Sequence, residues 1–101
     1  MRNFKVEKNG TIRDDRGMRV GTVDKNYLRD SRGLRIAEIS NNFIRDSRGI
    51  RIGEVSGTRI RDRLGSTVGD ISKIPLDYEM PVSPAMAAAI QHFFIKPILL
   101  K

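Results

Sequence analysis

The chain repeats itself every 16 residues, and this period restricts its fold more than any other feature. The dipeptide Arg-Asp stands at 13–14, 29–30, 45–46 and 61–62, and a glycine follows each at 17, 33, 49 and 65. An internal period is read before anything else, because each copy becomes one supersecondary unit that buries its apolar face only against its neighbours. Apolar residues keep the same step. Ile12, Leu28, Ile44, Ile60 and Leu76 form one series; Phe4, Val20, Ile36, Ile52 and Val68 form a second; Val23, Ile39, Val55 and Ile71 form a third. Two of the series have five members, which implies five units, weaker at both ends.

Each unit reads as a β-hairpin. Asp30-Ser31-Arg32-Gly33 and Asp46-Ser47-Arg48-Gly49 suit a type I turn closed by a left-handed glycine, the three-residue hairpin loop with a G1 bulge. The aspartate can accept hydrogen bonds from N–H groups inside the turn, and glycine takes positive φ without a steric penalty. Shorter turns are expected at the opposite ends, at Asn9-Gly10, Lys25-Asn26, Asn41-Asn42 and Gly57-Thr58. A meander of short antiparallel strands follows. Within Leu34-Arg35-Ile36-Ala37-Glu38-Ile39, apolar residues fall at 34, 36 and 39, so strict alternation would turn Ile39 to the wrong face. One extra residue near position 37 corrects this, as a β-bulge does. Gly21, Gly53 and Gly69 occupy the matching positions, where a strand glycine marks a bulge or bend. The first copy has Lys5 there and an apolar spacing of only two, Phe4 to Val6, so no bulge is expected in it.

The last quarter of the chain differs in kind. Ile74 to Val82 carries two prolines and reads as an edge strand and a connector. Ser83 offers an N-cap and Pro84 the favoured first helical position. Ala85 to Ile95 is apolar around nearly its whole circumference, and a helix of that kind is buried on all sides. Pro97 should stop it near Lys96. The expected fold is mainly β with one C-terminal helix: five 16-residue β-hairpin repeats in a closed ring or barrel around a buried apolar helix. It forms a single domain over 1–101, with repeats in 1–78, a connector in 79–83, the central helix in 84–96 and a tail in 97–101. A parallel β-solenoid with one coil per unit is the competing architecture. The hairpin turn chemistry and the single apolar helix count against it, and propeller blades need about 40 residues each.

Five units built on Ile/Leu-Arg-Asp-Ser-Arg-Gly-x-Arg-Ile-Gly/Ala-Glu-Ile/Val and followed by an apolar helix resemble the five-fold β-flower proteins, small bacterial β-repeat proteins, over residues 1 to 96. The resemblance implies five hairpin petals around a central helix and no assigned activity. A more distant architectural likeness is to tubby and scramblase-type domains, whose strands close round an apolar helix in barrels more than twice this length.

Composition excludes several functional classes. Cysteine is absent, so neither disulfides nor thiolate metal ligands are available. The single histidine, His92, lies in the apolar segment and reads as a core residue bonded to a strand carbonyl. No base accompanies Ser31 or Ser47, which suit their turns; Asp14, Asp30, Asp46 and Asp62 have turn roles in every copy, and no phosphate loop occurs. No catalytic residue, cofactor or metal is therefore expected, and the chain does not read as an enzyme. The N-terminal residues lack the apolar core of a secretory signal, and the apolar stretch from Ala85 to Leu100 is too short and too interrupted to span a membrane. A cytoplasmic setting is the expectation.

What the composition does ask to be explained is an excess of 19 Lys and Arg over 12 Asp and Glu, a formal charge of +7. Arg13, Arg29, Arg45 and Arg61 should point outward by strand alternation, Arg19, Arg35 and Arg51 should sit beside them, and Arg16, Arg32 and Arg48 should stand at turn tips. These ten are the candidate anion-binding residues, for nucleic acid, acidic glycans or lipid headgroups. The competing account has each arginine paired with Glu38, Glu54 or a turn aspartate. Tyr27 and Phe43 match across two copies, but Thr11 and Arg59 fill that position elsewhere, too few aromatics for base stacking. The chain thus reads as a non-enzymatic binding or structural module of unknown ligand, with a polyanion or a protein among the candidate partners. Polyanion binding through the arginines is the alternative reading, and assembly through the turn rims a further option.

Overall fold

The computed structural model describes residues 3–99; residues 1–2 and 100–101, the outer ends of the expected repeat and tail segments, lie outside the described residues. The chain is mainly β with a single helix near its C-terminus. Its strands are β1 (Phe4–Val6), β2 (Thr11–Arg13), β3 (Arg19–Asp24), β4 (Tyr27–Asp30), β5 (Arg35–Ser40), β6 (Phe43–Asp46), β7 (Arg51–Ser56), β8 (Arg59–Asp62), β9 (Thr67–Asp70) and β10 (Leu76–Tyr78), and α1 spans Pro84–Ile90. All ten strands join one sheet in the order β10-β1-β2-β3-β4-β5-β6-β7-β8-β9.

Turn chemistry sets the register. In the turn after β4 the N–H of Gly33 donates to the Asp30 carbonyl at 3.0 Å and the Asp30 N–H donates to the Leu34 carbonyl at 2.9 Å. The Asp30 carboxylate accepts the N–H groups of Arg32 and Leu34, and Gly33 sits at φ +86°, the left-handed region. Asp14, Asp46 and Asp62 make the same bonds in their own turns. At the other end Lys25-Asn26, Asn41-Asn42 and Gly57-Thr58 are two-residue connections, bracketed by the pairs Asp24↔Tyr27, Ser40↔Phe43 and Ser56↔Arg59. The expected short turn at Asn9-Gly10 is instead a three-residue loop. Gly10 N–H donates to the Glu7 carbonyl and Glu7 N–H to the Thr11 carbonyl, which copies the Asp-x-x-Gly pattern with Glu7 in the aspartate's place.

Between β2 and β3 the pair Ile12↔Gly21 is followed by Arg13↔Arg19, so Val20 has no counterpart. The same shift recurs at Leu28/Arg29, Ile44/Arg45 and Ile60/Arg61. The extra residues are thus Val20, Ile36, Ile52 and Val68, one place before the glycine or alanine. The shift turns Ile39 inward, where it is buried beside Ala37.

The sheet is not closed into the expected ring. Strand order has two ends, β9 and β10, and no ladder joins them. Eight consecutive antiparallel pairings leave β9 pointing as β1 does, and β10 pairs with β1 in parallel, Phe4↔Leu76 to Val6↔Tyr78. By this parity β9 and β10 run the same way and cannot form a fifth hairpin. Local chemistry explains the failure: Lys73-Ile74 replaces the turn residues of the earlier units. The Asp70 carboxylate instead caps a 3-10 turn over Ile71–Lys73, accepting the Ser72 N–H and hydroxyl at 2.9 and 2.7 Å, and Pro75 has no N–H to pair.

α1 begins as its sequence implies, with the Ser83 hydroxyl accepting the Met86 N–H and Pro84 in the first turn. Ala85 to Ile90 are all buried, within one core cluster that includes Val6, Ile12, Leu28, Ile44, Ile60 and Leu76 from six strands. The expected helix over 84–96 does not stay α-helical: Gln91–Ile95 is wound as a π-helix. Nor is 97–99 a free tail. Ile98 and Leu99 donate their N–H groups to Nδ1 of His92 at 3.1 and 3.2 Å, and Leu99 is buried. His92 therefore accepts from the C-terminal segment rather than meeting a strand carbonyl.

Candidate anion-binding surface

Strand alternation sends the arginines outward, and the bulge then sets them against one another. Arg13↔Arg19, Arg29↔Arg35 and Arg45↔Arg51 are direct cross-strand partners, while Arg61 faces Thr67. Like charges directly opposite one another are destabilising, so three such pairs work against the fold unless other contacts offset them.

Part of the offset is local. Arg13, Arg29 and Arg45 each donate an Nη1–H at 3.0 Å to the carbonyl of the glycine four residues on. The arginine before each turn aspartate therefore clasps its own turn. Arg13 also meets Glu7 at 2.9 Å and Arg29 meets Asp24 at 3.3 Å, but no carboxylate lies within 4.0 Å of the Arg45 guanidinium among the described residues. Arg61 lacks this clasp, and its buried Nε has no partner.

The neighbouring row behaves differently. Arg19 donates to the Ser31 carbonyl at 2.9 Å. Arg35 lies over the Tyr27 ring at 3.9 Å and Arg51 over the Phe43 ring at 4.6 Å. Such cation–π contacts contribute about 0.5–1 kcal/mol at exposed sites and occupy one face of each aromatic ring. At the turn tips, Arg32 and Arg48 approach Asp30 and Asp46 at 3.8 and 3.3 Å, and Arg16 is exposed. Desolvation pushes the Asp46 carboxyl up, but N–H bonds from Ile50 and Arg48 and the Arg48 side chain outweigh it and hold the group below its ordinary value. Glu38 and Glu54 stand opposite Arg45 and Arg61 yet close no ion pair within 4.0 Å among the described residues. Pairing with local carboxylates thus accounts for Arg13, Arg29, Arg32 and Arg48 and not for the remaining arginines.

Two further arginines lie outside the ten expected anion-binding residues. Arg59 takes the aromatic position of its unit and pairs across the ladder with Asp70. Arg63 replaces the turn serine of the two preceding units and is exposed; its departure from the repeat was the only available signal. Among the described residues no group of His, Asp and Glu is arranged to hold a metal, and no helix is long and apolar enough to cross a membrane. In comparison with known proteins, no family model, no curated protein and no solved structure matches the chain.

Proposed function

We propose that the protein is a non-catalytic module, binding or structural in role, built from 16-residue repeats set around α1, the last of them split so that its second strand joins β1. The equivalent turns and recurrent register shift support this, and the repeat motif resembles that of the five-fold β-flower proteins. A second reading, binding of a polyanion across the outer face, rests on one observation: arginine is placed directly opposite arginine in three ladders. A guanidinium carries five donors, and the clasp to glycine uses one. An extended chain of phosphates or sulfates laid along Arg35, Arg45 and Arg51 would supply the counter-charge that the fold withholds.

Titration with a heparin fragment or a single-stranded oligonucleotide tests it. Affinity should fall steeply between about 50 and 200 mM salt as counterions are displaced, and Arg35→Gln with Arg51→Gln should flatten that dependence. Absence of binding at about 50 mM salt would leave a structural module without the polyanion role.

A further inference from the structure

A cleft of about 470 Å³ opens at the Asp-x-x-Gly end, between the third and fourth of those turns and the π-wound segment. Its volume falls within the range of small-molecule sites. Arg48, Arg63 and His92 line it with Asp46, and Ile50, Ile52 and Phe93 form its apolar wall. π-Helical turns often accompany functional sites, and this one places His92 and Phe93 side by side in the wall.

The polar groups differ in what they have left to offer. Nδ1 of His92 accepts both Ile98 and Leu99 N–H groups, so the neutral ring carries its proton on Nε2, and no side chain or backbone group among the described residues takes that donor. Asp46 is committed to its own turn through the N–H groups of Arg48 and Ile50 and the Arg48 guanidinium. Arg63 has no ion-pair partner among the described residues. Two arginines against one aspartate give the lining a net charge of +1 with His92 neutral. Ile50 is 49% exposed, the least of the four equivalent residues Met18, Leu34, Ile50 and Leu64.

We propose that this cleft binds a small monocarboxylate with an apolar body. The carboxylate would take the Arg63 fork, whose planar donors match it, together with the His92 Nε2–H, and the hydrocarbon would lie against Ile50, Ile52 and Phe93. Asp46 already pairs with Arg48, so the one guanidinium left over, with a single His92 donor, matches the one charge and two oxygens of a carboxylate. The site does not depend on the polyanion reading, since neither Arg63 nor His92 belongs to the outward cross-strand pairs.

Amide chemical-shift titration of the intact chain with octanoate tests this, with 1-octanol and octyl phosphate as comparators. Octanoate should give saturable shifts confined to residues 46–52, 62–66 and 91–99, with 1-octanol binding at least about tenfold more weakly. Exposed Arg63 can be changed without touching the core, and Arg63→Gln should weaken octanoate about tenfold while leaving the spectrum of the free protein otherwise intact. Equal affinity for octanol and octanoate, an Arg63→Gln affinity within twofold of the original, or no saturable shift would each overturn the site. Tighter binding of octyl phosphate would overturn the monoanion assignment. Heparin binding that persists while octanoate fails would remove this site and leave the polyanion reading standing.

Discussion

Nδ1 of His92 accepts two backbone N–H groups, from Ile98 and Leu99, and so ties the C-terminal segment down over the core. Burial lowers the pKa of this ring below its ordinary 6.5, and a proton added at Nδ1 would displace both donors. The unfolded chain takes up that proton near pH 6.5 while the folded protein resists it. Between the folded and unfolded pKa values the unfolded state therefore binds more protons, and stability rises with pH until it is complete above about 6.5. The chain has one histidine, and ordinary carboxylates titrate near 4, so the interval from about pH 7 to 5 reports on His92 alone. Thermal melts should show a falling Tm across that interval, and His92→Gln should melt lower but without the pH dependence. Parallel slopes for the two proteins would contradict the assignment. The ring's place in an apolar segment was legible in the sequence. Its partners were not, because Pro97 reads as a stop signal and gives no hint that the chain folds back. Outward arginines were legible too, but the clasp from Arg29 to the Gly33 carbonyl depends on turn geometry that alternation does not describe.

At the scale of strands and turns, the register shift that turns Ile39 inward was readable from a single misplaced apolar residue. The glycines beside it now have distinct reasons. A Cβ on Gly21 would run into the Arg29 carbonyl and stand 2.5 Å from the Phe94 ring, whereas at Gly69 the nearest atom, Cδ1 of Ile60, is 3.4 Å away. Ala37 occupies the same place in its unit and is buried without conflict. Gly21→Ala is therefore expected to cost about 1–3 kcal/mol, the range for overpacking. Gly69→Ala should be neutral or stabilising by up to about 1 kcal/mol through the unfolded chain. Urea midpoints of the two variants decide it, and equal losses would show that the two positions are not distinguished by packing. The turn over Glu7–Gly10 escaped the same kind of reading. Asn-Gly is a strong two-residue hairpin signal, yet Glu7 and Gly10 close a longer loop in which the Asn9 side chain accepts the Thr11 N–H.

For the molecule as a whole, the 16-residue period gave no warning of where it would break. Leu76 continues the apolar series and is buried as that series requires, but the chain reaches it through a capped 3-10 turn instead of a hairpin. β10 consequently adds in parallel to β1, bringing the first and last strands together and leaving the seam between β9 and β10. The enclosure of α1 survives this break because buried apolar side chains from eight strands share one core cluster with it. Full burial of a side chain such as Ile90 contributes about 1.5–3 kcal/mol, and Ala87, Ala88 and Ala89 let the strands approach closely. Native-state hydrogen exchange at the Ala88, Ala89 and Ile90 amides tests this enclosure most directly. These amides should open only with the global unfolding of the chain and be protected to the same free energy as the Ile44 and Ile60 amides of β6 and β8. Exchange at the rate of a free helical peptide, while those strands remain protected, would contradict it.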